Sequence, residues 1–205
     1  ALMPDVHVGY SLPIGAVVAT KDVIVPAWVG YDIGCGMCAV PTTFELADIR
    51  DNSKSIFDQI YRDIPVGFEH NDQDAEWCDL SNTARSDAMR ETYDTHCLRQ
   101  IGTLGGGNHF IEIGVDEDCA VWIIVHSGSR GVGHKTASHY MRIASKLHTG
   151  INKAKEGHYW FEVTSDNGVN YTTDMNFCLE FALANRLKII ERVEAAIKKS
   201  TPGSI

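Results

Sequence analysis

The sequence predicts an α+β fold, and three observations carry that expectation. Short apolar stretches alternate with Gly and Pro near the N-terminus, a strongly apolar run covers 119–125, and the segment 174–199 keeps a helical repeat of apolar residues. Strands and helices mix without a regular alternation, which argues against a doubly wound parallel sheet. With no internal repeat and no low-complexity linker, the 205 residues read as one domain.

In chain order, the apolar pieces 16–19, 23–25 and 28–29 read as short strands joined by tight turns. Over 52–63, Ile56, Phe57, Ile60 and Tyr61 fall at helical spacing and Pro65 ends the element, giving a packing helix. The polar stretch 69–100 offers a modest helix over 82–99. Gly105, Gly106, Gly107 and Asn108 then form a turn that opens a strand through Ile113. The run 119–125 is a buried strand that delivers His126 at its C-terminal end, ahead of a loop over 127–131. A helix follows from about 133 to 148. The longest helix runs over 174–199 with Asp174 as its N-cap and Phe177, Phe181, Leu187, Ile190, Val193 and Ile197 on its apolar face.

Composition narrows the function classes. The formal charge of -9 excludes broad, non-specific phosphate binding, which calls for a basic surface, so any contact with RNA must be local. No apolar run reaches the roughly 18 residues a membrane span needs. Six cysteines, at 35, 38, 78, 97, 119 and 178, lack the dense spacing of a disulfide scaffold, and no signal segment opens the chain. A reducing, cytoplasmic setting is expected. The first residue is Ala1 and the last Ile205, and both ends read as limits of a longer chain.

Four side chains of metal-binding type sit in glycine-flanked turns: Asp32 and Cys35 within Gly30, Tyr31, Asp32, Ile33, Gly34, Cys35, Gly36, then His109 and His126. A carboxylate and a thiolate three residues apart across a turn can face one ion, and two imidazoles at strand ends can close the shell. The thiolate is the informative member, because sulfur has lone pairs enough to bridge two cations. This donor set suits Mn, Co or Zn better than Mg or Ca, which prefer oxygen alone. Spacing alone leaves metal binding and inert packing of Cys35 equally open. Cys35 and Cys38 also form a CxxC, but no second pair completes a zinc ribbon and Cys38 reads as a core residue. The 105–108 turn offers successive N–H groups to a phosphate, and Arg130 in the 127–131 loop offers a planar fork.

Four blocks in order resemble the RtcB family of RNA-splicing ligases: Met3, Pro4, Asp5, Val6, His7; Val29 through Met37; Gly107 through Glu112; and His126 through Gly131; with the later Asn185, Arg186 they span nearly the whole chain. The resemblance implies a ligase that uses GTP and two Mn ions, with Zn or Co as substitutes, to join RNA ends. One end would carry a 2',3'-cyclic phosphate or 3'-phosphate and the other a 5'-hydroxyl. It implies that a histidine is guanylylated, that the guanylate passes to the RNA 3'-phosphate, and that the 5'-hydroxyl displaces GMP. By the same resemblance Asp32, Cys35 and His109 match ligands of one metal, and Cys35 with His126 match ligands of the other. Asn108, His109, Phe110, Ile111 and Glu112 match the GTP-binding block, Arg130 an RNA-phosphate position, and Asp5 and His7 a block near the active centre that could support a ligand from behind.

The family's guanylylated histidine lies in a serine, histidine, glycine, alanine, glycine, arginine block, and no such block occurs in these 205 residues. A cysteine, histidine, histidine, asparagine block with a further metal ligand is missing as well. The expectation is an incomplete RtcB-like catalytic domain over 1–205, its first half, inactive as a ligase by itself. A short metal-binding subunit and a metal-dependent phosphoesterase are the alternatives. The RNA substrates, any activating protein and the oligomeric state stay open.

Overall fold

A computed structural model describes residues 1–75, 86–92, 96–148 and 157–201. In chain order the elements are β1 (Leu2–His7), β2 (Ile14–Ala16), β3 (Val23–Ile24), α1 (Pro26–Val29), β4 (Gly36–Pro41), α2 (Leu46–Asp51), α3 (Ser53–Asp63), α4 (Asp87–Thr92), α5 (Leu98–Gln100), β5 (Phe110–Val115), β6 (Val121–Ser127), α6 (Arg130–Leu147), β7 (Phe161–Glu162) and α7 (Asp166–Ser200). The fold is α+β, as the sequence predicts.

The strands pair antiparallel throughout the described residues: β1 with β2, β3 with β7, and β4-β6-β5 as a three-stranded sheet with β6 in the centre. Its register sets Met37 and Phe110 on either side of His126, and Cys38 and Ile111 on either side of Val125. Because side chains alternate along a strand, Val121, Ile123, Val125 and Ile111 point to one face with Ile113. That face packs on Ile56 of α3, on Ile64 at its C-terminal end, and on Ile189, Ile190, Val193 and Ile197 of α7. The opposite face presents Met37, Phe110, Glu112, Ile124 and His126, and α3 and α7 do not cover it.

Helix α7 is the organising element. Ser165 caps it by accepting from the Gly168 N–H at 3.1 Å, Asp166 lies in its first turn, and Lys198 and Lys199 lie in its last, matching the helix dipole at both ends. Tyr171 enters a cluster with Tyr140, Ala144 and Phe161. Phe177, Cys178 and Phe181 enter a second with Ile33, Val132 and Ala137, and residues 189–197 form the third under the sheet. The helix therefore starts well before Asp174, which is not its cap. Asp174 is buried inside it, accepting from the Ser86 N–H at 2.7 Å and the Tyr140 hydroxyl at 2.6 Å. A polar residue satisfied by tertiary partners looks like a cap in sequence. Leu187 also departs from expectation, standing 51% exposed, because the buried stripe passes instead through Asn185 and Ile189.

Other boundaries shift for local reasons. The apolar pair 28–29 belongs to a helical turn, since Pro26 at its first position presets the helical φ and Gly30, at φ 93°, closes it with an N–H donated to the Pro26 carbonyl. Helix α6 begins at Arg130, three residues earlier than expected. The helix over 52–63 is found as α3 with Asn52 at its N-cap position. Within the candidate helix 82–99, residues 82–85 and 93–95 lie outside the described residues, as does Cys78.

Candidate metal centre

The turn over 30–35 connects α1 to β4 and is held down at its middle. Ile33 is fully buried among Val132, Phe177 and Phe181, so Asp32 and Cys35 on either side of it are directed away from that core. Gly34 has φ 79°, and a Cβ there would lie 2.8 Å from the Ala182 Cβ and 3.2 Å from the Leu179 Cα. Left-handed backbone and contact with α7 both demand glycine at this point. His126 is the penultimate residue of β6 on the uncovered face, and His109 immediately precedes β5.

These elements bring three donor atoms together. The Cys35 Sγ lies 3.1 Å from His126 Nε2 and 3.6 Å from His109 Nε2, and the three ligand atoms all fall within 4.8 Å of one another. Asp32 joins from the His109 side, its Oδ2 2.8 Å from His109 Nε2. The His109 Nδ1 faces the Leu104 carbonyl at 2.9 Å, a donor position that leaves Nε2 directed at the cluster. Asp32 Oδ1 is buried and has no hydrogen-bond partner among the described residues. A Cβ on Gly128 would overlap this carboxylate, so glycine there keeps the space open. Thiolate, two imidazole nitrogens and a carboxylate with a spare oxygen fit a divalent transition metal.

The electrostatics follow from the same contacts. His109 is pushed up to about 9, first by its hydrogen bond to Asp32 and then by Cys35, against the opposing effect of burial. For Asp32, burial raises the pKa, but the hydrogen bonds of His109 and Cys35 and the charges of His109 and Arg130 outweigh it and hold the carboxyl below its usual range. His126 is lowered, by burial and then by the charge of His109.

The pair has a definite pH signature. The folded pKa of His109 lies above its unfolded value of roughly 6.5, so its stabilisation is complete below that pH and is lost as pH rises through about 9. The Asp32 contribution has the opposite sense: present above roughly pH 4, lost as pH falls further. The metal-free chain should lose on the order of 2 kcal/mol between pH 6.5 and 9. A falling urea midpoint over this range is the expected measurement, and Asp32→Asn should flatten it. A flat wild-type profile would contradict the pairing.

The remaining predicted residues are placed unevenly. Phe110 lies beside the cluster, its ring 5.6 Å from that of His126, and Glu112 shares that face, exposed. Asn108 is exposed in the turn before His109. Ile111 points to the other face and packs under the sheet with Val125 and Ile189. Arg130 is near the cluster, but its Nε donates to Thr103 Oγ1 at 3.1 Å and its Nη2 to the Gly67 carbonyl at 2.8 Å. Its backbone φ of 57° is strained for a side-chain-bearing residue, and these bonds hold it there. Asp5 and His7 lie on exposed β1, which pairs with β2, and His7 Nδ1 meets the adjacent Val8 carbonyl, so neither is bonded to the cluster.

Two side chains behind the cluster are not evident from motif chemistry. Asn185 and Arg186, buried on α7, bond to the backbone of the loops that carry the donors. The signal was a polar pair on the apolar stripe of a helix, where each polar group must find a partner.

Together these features define an α+β protein with a candidate transition-metal centre of thiolate, imidazole and carboxylate. The family model described as tRNA-splicing ligase RtcB matches residues 1–91 and 70–204. The chain is 34% identical over 232 residues to the RNA-splicing ligase RtcB of Escherichia coli K12, covering 100% of this chain and 55% of that protein. It is 39% identical over 164 residues to RNA-splicing ligase RtcB1 of Escherichia coli strain ATCC 25922, covering 71% and 40%, and 30% identical over 247 residues to tRNA-splicing ligase RtcB of Nanoarchaeum equitans, covering 97% and 52%. The chain belongs to the RtcB family. It spans about half the length of the curated relatives it matches.

Proposed function

We propose that this chain is the metal-binding part of the catalytic domain of a GTP- and Mn-dependent RNA ligase, one that joins 2',3'-cyclic phosphate or 3'-phosphate ends to 5'-hydroxyl ends in tRNA splicing or RNA repair. The observation that carries this reading is the Cys35 sulfur standing between His109 Nε2 and His126 Nε2 with Asp32 against the first of them. That arrangement supports assigning Asp32, Cys35 and His109 to one Mn ion and Cys35 with His126 to the other. The names of the relatives support the ligase class.

When bound, the two cations would supply charge neutralisation for the triphosphate and for the reacting phosphate. The chain's own residues do the holding. Cys35 would be the ligand shared by the two ions, the Leu104 carbonyl fixes His109 with Nε2 forward, and Asp32 would balance positive charge. Phe110 and Glu112, on the same face as His126, are placed to meet the nucleotide, with Asn108 toward its phosphates. Arg130 adds positive charge, although two of its donors are engaged. The free thiols Cys35, Cys38, Cys119 and Cys178 suit a reducing compartment, and we assign the chain to the cytoplasm. No helix among the described residues is long and apolar enough to cross a membrane.

Labelled GTP tests the reading. With Mn²⁺ at pH 8 the chain should bind GTP in a metal-dependent manner and acquire no covalent GMP, since the guanylylated histidine block does not occur in it. Absence of metal-dependent GTP binding would overturn the assignment, and covalent labelling would overturn the expected inertness of this part alone.

A further inference from the structure

Asn185 and Arg186 lie in the middle of α7, 0% and 9% exposed, and touch three separate loops of the metal centre. The Arg186 Nη1 donates to the Gly34 carbonyl at 2.8 Å and to the Ser127 carbonyl at 2.9 Å, while its Nε points at the Cys38 sulfur at 3.4 Å. Gly34 immediately precedes Cys35, and Ser127 immediately follows His126. One guanidinium nitrogen therefore ties the residue next to the thiolate to the residue next to an imidazole.

Asn185 completes the frame on the other side. Its Oδ1 accepts from the Gly102 N–H at 2.7 Å, and its Nδ2 donates to the Thr103 carbonyl and the Ser127 hydroxyl, each at 3.1 Å, and to the Gly128 carbonyl at 3.3 Å. The Ser127 hydroxyl in turn donates to the Leu104 carbonyl at 2.9 Å, the same oxygen that faces His109 Nδ1. A continuous path thus runs from Asn185 through Ser127 and Leu104 to the ring of His109.

We propose that Asn185 and Arg186 are positioning residues that set the distance between the Cys35 thiolate and the two imidazoles and keep His109 Nε2 directed at the metal. Neither touches the ion. A rigid helix rooted in three clusters transfers its own order to loops that would otherwise close on the cation only at an entropic cost. Arg suits the task because its planar fork spans two carbonyls and a sulfur, whereas Lys offers one compact donor group.

The inference rests on the metal reading given above, and Co²⁺ binding to the full chain separates the two. Thiolate-to-Co²⁺ charge-transfer absorption reports the Cys35 bond, and ligand-field bands report geometry. Arg186→Met should weaken Co²⁺ binding by about 10–100-fold and alter the bands while the metal-free thermal midpoint still shows a folded chain. Arg186→Lys should recover part of the affinity. If Arg186→Met prevents folding, Arg186→Lys and Ser127→Ala, which removes only the hydroxyl relay, carry the test with the same expectation of weaker binding and altered bands. Folded variants with wild-type affinity and spectrum would overturn the positioning role and leave the metal centre standing. A wild-type chain without Co²⁺ absorption would overturn both.

Discussion

Cys35→Ser is expected to lower affinity for Co²⁺ or Mn²⁺ by at least about a hundredfold, because losing an outer partner of a ligand already costs roughly 10–100-fold and this substitution removes the ligand shared by both proposed sites. The hydroxyl of serine is nearly isosteric but stays protonated at neutral pH and is a poor bridge. Folding should be spared. The side chain is exposed, and the bond that shapes the turn, from the Cys35 N–H to the Asp32 carbonyl at 3.0 Å, belongs to the backbone. Metal analysis after dialysis, with the thermal midpoint as control, gives the answer. Unchanged metal content would place the cation elsewhere.

The largest expected loss of stability comes from Phe181→Ala. Phe181 is fully buried on α7 among Ile33, Val132 and Phe177, and truncating such a ring costs about 3–5 kcal/mol, from lost apolar transfer and from the cavity left behind. Urea unfolding should show that loss in the midpoint. A cost under about 1 kcal/mol would mean that the cluster collapses to refill the space. The effect should reach the candidate metal centre as well, since Ile33 lies between Asp32 and Cys35 in the same turn and belongs to the same buried cluster as this ring.

Legibility from sequence was uneven, for physical reasons. Helix α3 was readable because burial on one side imposes a period that survives in the residue order, and strand β6 because a continuous apolar run marks it, although the strand spans Val121–Ser127 rather than 119–125. The four residues proposed as donors stand out because glycine turns and side chains of metal-binding type occur together; the structure brings Cys35, His109 and His126 together and sets Asp32 against His109. The start of α7 was hidden because Asp174 is polar yet buried, while the local marks of the true start were Ser165 and Asp166. Asn185 and Arg186 appeared only as part of a family pattern, since most of their partners are backbone groups some 57 to 152 positions earlier, and backbone groups leave no trace in residue identity. The opposite facing of Phe110 and Ile111 follows from strand alternation, but which of them lies under the helices depends on the register with β6.

That register has a consequence of its own. Met37, His126 and Phe110 form one row across β4, β6 and β5. Sliding β6 by a single position would swing His126 beneath the helices and expose a valine or a serine in its stead, while most of the ladder could still form. Only one alignment offers both imidazoles to the sulfur, so a cation that binds there adds its affinity to that alignment alone. The ion would act as a proofreader of strand pairing before it serves any chemistry.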